Sequence, residues 1–307
     1  MIENRRHIIG IDVGGTHFRI GAVGPDGCVS HFGKRPSRQV FHSDAPLRDL
    51  SEYLDGFRRE LSEDGIDVDA VSIGFPATLD RARMRVLQAP NLSFMENLPV
   101  VSTLSEALQL PVFIERDVTM ALCFDSDKYA IPMDGIICAF YFGTGIGNAI
   151  CINGQPLIGK NGTAGELGHI PADGSDLPCG CGNVGCMENL AGGKYLARLR
   201  QNAYPNNSIG DLFALHGNDA PLQQFIDRMA QCVATEINIL DPDFVLLGGG
   251  VPAMESFPRD ELNARIFART RKPFPADGLS ILYVEDEDAK GVIGAALYAR
   301  QRLEHQH

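Results

Sequence analysis

Two stretches of this chain are built alike: HIIGIDVGGTHFRIGAVGPDG, starting at His7, and IICAFYFGTGIGNAICINGQ, starting at Ile136. In each, an apolar run meets a glycine turn containing a threonine, a second apolar run follows, and a polar turn closes the unit. Each predicts a β-hairpin bent around a glycine tip. Hairpins so far apart are not neighbouring repeats of a solenoid, so the pattern predicts two related α/β domains with a boundary near residue 120. The 307 residues, 44% of them apolar, are chain enough for two cores.

The stretches between and after the hairpins alternate. Leu47, Leu50, Tyr53, Leu54, Phe57 and Leu61 recur at helical spacing; DAVSIGFPA and PVFIERDV read as strands. Helical patterns follow at 193–200 and 221–240, then the strand DPDFVLLGGGV, the helix FPRDELNARIFART, the strand LSILYVED and a final helix AKGVIGAALYARQRLE. Strands alternating with helices predict parallel sheet segments with ligands at their carboxyl ends.

A formal charge of −12, with basic residues only in scattered pairs such as Arg58-Arg59, argues against nucleic-acid and anionic-membrane partners. The apolar run before Asp12 is too short for a signal peptide or a spanning helix, which predicts a cytoplasmic protein. Thiols stay reduced there, so Cys179-x-Cys181-x4-Cys186 points to a metal site rather than a disulfide. Cys28, Cys123, Cys138, Cys151 and Cys232 stand singly and are predicted as buried core thiols.

Three glycine clusters carry the ligand signal. In Asp12-Val13-Gly14-Gly15-Thr16, bare glycine backbone can approach phosphate oxygens, the threonine hydroxyl can donate to them, and the aspartate can hold hydrated Mg²⁺. One such turn is also an ordinary tight turn. With Gly143-Thr144-Gly145-Ile146-Gly147 and the strand-terminal Gly248-Gly249-Gly250 it makes a nucleotide triphosphate the leading reading. Gly154-x4-Gly159-Lys160 resembles a P-loop, but Asn161 replaces the metal-coordinating Ser/Thr and no strand–loop–helix context surrounds it.

Asp117 ends an apolar strand where a helix begins, so it is either an N-cap or a general base for attack by a hydroxyl on a phosphoryl group. His169, upstream of the cysteines, completes a His/Cys₃ set of the kind that binds zinc; four protein ligands leave no open position, so the ion would be structural. Glu166 and Glu188 flank this knot, as solvated loop charges or as groups the knot fixes near one point.

Taken together, DVGGT, GFPA, PNL, GTGIG, GELGHIP, CGCGNVGCME and LLGGGV resemble the ROK family from end to end. The resemblance implies an actin-like ATPase fold: a small lobe of residues 1–120 rejoined by the final helix at 291–307, a large lobe of 121–290, and a cleft closing on ATP and sugar. It implies ATP-dependent phosphorylation of the 6-hydroxyl of an aldohexose, D-allose first, with glucose, fructose or an N-acylhexosamine as alternatives. Asp117 would be the base. Arg116, Asn91, Glu166, His169 and Glu188 would hold the sugar. Gly10, Asp12, Gly14, Gly15, Thr16 and His17, with Gly143, Thr144, Gly145 and Gly147, would hold the phosphates and their Mg²⁺, and Gly248–Gly250 the adenosine. His169, Cys179, Cys181 and Cys186 would hold zinc, and a homodimer is implied. Arg116 departs from the family, which usually has Asn there, and His17 stands where Lys or Asn is common. Sugar-sensing repressors of the family carry an added helix-turn-helix, which the early first strand and acidic charge argue against; a filament subunit of the same fold would not need the knot. Loss of a cysteine is expected to damage sugar affinity and local folding before ATP binding.

Overall fold

The computed structural model describes residues 7–304. The hairpin expected at His7 is formed by β1 (His7–Val13) and β2 (His17–Val23), paired antiparallel, with β3 (Val29–Pro36) against β2. Next come α1 (Pro46–Glu63), β4 (Val68–Phe75), a small hairpin of β5 (Thr78–Leu79) and β6 (Val86–Gln88), α2 (Val100–Leu108), β7 (Val112–Arg116) and α3 (Asp117–Lys128). The sheet order is β3-β2-β1-β4-β7, with β4 parallel to β1 and β7 parallel to β4. Ile8, Ile9, Ile11 and Val13 are all buried, as a central strand covered on both faces requires. Helix α1 starts with proline in its first turn and turns Leu47, Leu50, Leu54, Phe57 and Leu61 into the core, each contributing about 1.5–3 kcal/mol.

The hairpin expected at Ile136 opens the second unit. Strands β8 (Ile136–Phe142) and β9 (Ile146–Ile152) pair antiparallel, and β10 (Gln155–Pro156) extends β9. Then follow α4 (Glu188–Ala191), α5 (Gly193–Ala203), α6 (Leu212–His216), α7 (Ala220–Leu240), β11 (Phe244–Gly248), α8 (Arg259–Arg269) and β12 (Ile281–Tyr283). The order β10-β9-β8-β11-β12, with β11 parallel to β8 and β12 parallel to β11, repeats the first sheet strand for strand. The last helix, α9 (Lys290–Glu304), belongs to the first unit.

The division does not fall at residue 120. The first unit runs to Ala130, takes in Ile158–Ala164 and resumes at Glu287; the second comprises Ile131–Leu157 and Gly165–Asp286. Helix α3 packs lengthwise on α9, so it cannot be cut from that unit. Gly294 makes the approach possible, since a Cβ there would overlap the Met120 carbonyl of α3. A buried ion pair, Lys290 Nζ to Asp125 Oδ2 at 2.7 Å, ties the start of α9 to the same helix. Residues 1–6 and 305–307 of the expected lobes lie outside the described residues. Cys123, Cys138, Cys151 and Cys232 are buried as expected, but Cys28 is exposed, on the turn between β2 and β3, where its N–H donates to Asp26. No helix among the described residues is long and apolar enough to cross a membrane.

Candidate functional site

In the first unit the hairpin tip Gly14–Thr16 is held from one side. Gly14 N–H donates to the His17 carbonyl at 2.8 Å, Ser37 Oγ donates to the Gly14 carbonyl at 2.6 Å, and Ser37 N–H to the Thr16 carbonyl at 2.9 Å. The Gly14 and Thr16 carbonyls are thereby occupied, while the Gly15 and Thr16 N–H groups meet no acceptor among the described residues, the arrangement an anion needs. His17 is exposed; its carbonyl, not its ring, closes the turn. Asp12 Oδ2 accepts from Arg19 Nη1 at 2.9 Å, the residue opposite it in the hairpin register. Asn91 lies against this tip, with its Cβ and carbonyl each 3.1 Å from where a Gly15 Cβ would be. Gly10 is not part of it. It sits mid-strand, and a Cβ there would overlap the Val292 carbonyl of α9, so this glycine serves helix packing rather than a phosphate.

Asp117 is the first residue of α3, at the carboxyl end of β7, with extended Arg116 in the cap position and no side-chain cap. Its Oδ1 accepts from the Val118 N–H at 2.8 Å. Burial, and then the charge of Asp12, push its carboxyl up to about 6, against the opposing pull of Arg116 and that N–H. Arg116 itself is built in: Nη1 donates to the Ala164 carbonyl at 2.8 Å, and its N–H to Glu115 Oε1 at 2.8 Å. Glu115, wholly buried, also accepts from Arg83 Nε at 2.8 Å and the Tyr298 hydroxyl at 3.4 Å. Arg83 Nη1 reaches the Gly162 carbonyl at 3.1 Å, so two guanidinium groups fasten the 158–164 segment.

In the second unit the tip is Gly143–Gly145; Gly147 lies within β9, opposite Tyr141, and is strand rather than turn. Gly193 and Lys194 N–H groups donate to the Gly143 and Thr144 carbonyls at 2.8 and 3.0 Å. Glu188 Oε2 accepts from Ile146 N–H at 3.1 Å. The donor atoms of His169, Cys179, Cys181 and Cys186 all lie within 4.8 Å of one another. Cys179 Sγ is 3.6 Å from His169 Nδ1, and Cys181 Sγ is 3.6 Å from Cys186 Sγ. A zinc tetrahedron has edges of about 3.5–3.8 Å, so donor chemistry and spacing fit that ion. Burial, and then the neighbouring Cys181 and Cys179, push the Cys186 thiol up to about 12. With Nδ1 turned to the cysteines, His169 Nε2 faces Glu166 Oε2 at 3.6 Å.

At the end of β11 the three glycines differ. A Cβ at Gly248 would come 2.6 Å from Val284, and one at Gly249, which has φ +94°, 2.7 Å from the Phe142 carbonyl; both serve packing and turn geometry. Gly250 has nothing within 4 Å and leaves bare backbone exposed. Sequence reasoning missed Ser37, Arg83 and Glu115, whose partners are far along the chain and leave no local signal. Arg19 was legible in principle, because hairpin register sets it opposite Asp12.

The sequence pattern of the ROK family matches residues 8–302. A glucokinase from Thermotoga maritima is 27% identical, over 96% of this chain and 98% of its own. An N-acetyl-D-glucosamine kinase from Pectobacterium carotovorum subsp. carotovorum is 28% identical, over 94% and 97%. A crystal structure of a ROK family glucokinase from Streptomyces griseus, in complex with glucose and AMPPNP, aligns with a TM-score of 0.78 at 26% identity, covering 96% of this chain and 99% of that one.

Proposed function

The chain belongs to the ROK family, with its actin-like ATPase fold, and from that premise we propose that it transfers the γ-phosphoryl group of ATP to the 6-hydroxyl of an aldohexose. It is an ATP-dependent sugar kinase. The observation that carries the reading is Asp117: a carboxylate at a strand's carboxyl end with its pKa raised to about 6. A group so tuned is ionised at neutral pH yet basic enough to take the hydroxyl proton as the oxygen attacks phosphorus, an effect of about 10²–10⁴ in rate.

The N–H groups of Gly15 and Thr16 and those of Thr144 and Gly145 bind the phosphates, and Gly250 offers backbone to the nucleoside. Mg²⁺ accompanying ATP supplies charge neutralisation on the phosphate oxygens, and Asp12 would hold it, one carboxylate sufficing beside substrate oxygens. Glu166, Glu188 and the Nε2 of His169 hold sugar hydroxyls, with Asn91 and Arg116 as further contacts. His169 Nδ1 and the three cysteines would hold a structural zinc, which leaves no coordination position for an activated water. The family resemblance supports a homodimer, which native mass measurement tests.

Among aldohexoses we assign D-allose first. The combination of DxGxTH, RDV and FPRxxL is most similar, within the family, to D-allose kinases, and Arg116 brings only donors where Asn would bring an acceptor as well. A second reading, glucose or an N-acylhexosamine, is favoured by the names of the relatives compared above. ATP-coupled turnover against D-allose, glucose, fructose, N-acetylglucosamine and N-acetylmannosamine decides between them. Glucose with kcat/KM equal to or above that of allose overturns the narrower assignment, and no turnover of any overturns the kinase.

A further inference from the structure

We propose that Glu188 is a positioning residue for the turn 143–145, and that through it the Cys/His loop sets how that turn meets a nucleotide. The proposal rests on the reading of this turn as a phosphate site, and it goes beyond it by giving the knot a second task.

Several close approaches converge on the turn. Glu188 Oε2 takes the Ile146 N–H at 3.1 Å and lies directly against Gly145, where any Cβ would overlap it. A Cβ on Gly168, the neighbour of His169, would come 3.1 Å from the Ile146 carbonyl and 3.3 Å from its Cβ, so the His169 turn presses on the same residue. A Cβ on Gly192 would come 3.1 Å from the Gly145 Cα, and the N–H groups of Gly193 and Lys194 hold the Gly143 and Thr144 carbonyls. What remains are the Thr144 and Gly145 N–H groups, which have no acceptor among the described residues. The 188–194 segment therefore occupies the turn's carbonyls and aims its donors.

That segment begins two residues after Cys186. The segments after His169 and around Cys186 are joined there: Pro171 and Cys186 form an isolated β-bridge, and Met187 N–H donates to the Ile170 carbonyl at 3.0 Å. Any movement of Cys186 or His169 is thus carried to Ile146 by short covalent and hydrogen-bonded links. A carboxylate is electrostatically a poor neighbour for a triphosphate. Its place against Gly145 is explained by the N–H it holds, because a buried N–H left without an acceptor costs about 1–3 kcal/mol and would pull the turn out of shape.

The test is nucleotide binding to the zinc-loaded full chain, by calorimetry with a non-hydrolysable ATP analogue and no sugar. Glu188→Ala is expected to weaken nucleotide binding about tenfold, while Glu188→Gln, whose amide oxygen still accepts from Ile146, stays within about threefold. Gly145→Ala, which puts a methyl in the carboxylate's place, should weaken binding in the native background and add little to Glu188→Ala. Chelation of the metal should weaken nucleotide binding of the native chain and leave Glu188→Ala little changed. Native nucleotide affinity in Glu188→Ala, with Gly145→Ala impaired, overturns the role of Glu188; native affinity in both overturns the nucleotide reading of the turn instead. Thermal melts of each variant separate unfolding from loss of binding, and Glu188→Gln keeps the proposal falsifiable if Glu188→Ala does not fold.

Discussion

Arg116 Nη1 donates to the Ala164 carbonyl at 2.8 Å, so the residue beside the proposed base is tied to the 158–164 segment. The bond places a fixed cation where it opposes the burial and the Asp12 charge that raise Asp117. Replacing Arg116 with Asn removes that cation. The acid limb of kcat/KM, which reports the free enzyme's base, is expected near pH 6 in the native chain and at higher pH in the variant. A pH–rate profile checks this, and an unmoved limb separates Arg116 from the electrostatics of Asp117. A changed order of sugars in the same variant would show that Arg116 also reads a hydroxyl.

Asp117→Asn should lower kcat by about 10²–10⁴ while sugar binding persists. The same substitution should raise stability at high pH. A carboxyl whose folded pKa stands above its unfolded value binds more protons in the native state between the two, so its ionisation disfavours the fold as pH rises through that range. From the ordinary 3.8 to about 6, the penalty grows and is then constant. After allowance for solvent screening at this half-buried group, Asp117→Asn should gain about 1 kcal/mol at pH 8 and nothing below pH 4. Urea unfolding at the two pH values measures it.

Metal analysis should find about one zinc per chain, and Cys181→Ala, at the exposed edge of the cluster, should lower that content. Chelation should lower the melting temperature of the native chain. An unaltered melt with full metal removal would mean that the four donors do not stabilise the fold.

Lys290 and Asp125 form an almost wholly buried pair between α9 and α3. Removing either partner alone leaves the other charge buried without this ion pair, so Asp125→Leu or Lys290→Met should cost about 3–5 kcal/mol. The double variant, with both charges gone, should recover most of it, and a denaturant double-mutant cycle reads the coupling.

The repeat was legible because each hairpin carries its own signals: apolar strands, a glycine tip and a closing turn lie within one short stretch. The metal donors were legible for a similar reason, since Cys179, Cys181 and Cys186 are close in the chain. Gly10 shows the limit. It sits in the same run as Gly14 and Gly15, but its missing side chain makes room for the Val292 carbonyl rather than for a ligand. A glycine's identity does not say what comes close to it.

By itself, then, the sequence determined the two hairpins, the doubly built α/β plan, the Cys/His set and Asp117 at a strand end, all features coded by neighbours in the chain. Only the tertiary structure decided that α3 and residues 158–164 stay with the first unit, that Glu115 gathers Arg83, Arg116 and Tyr298, and that Glu188 holds Ile146. Those contacts join segments distant in sequence. They depend on which backbones can approach closely enough to share a hydrogen bond or fill a missing Cβ, and that is set only once both sheets and their helices have packed.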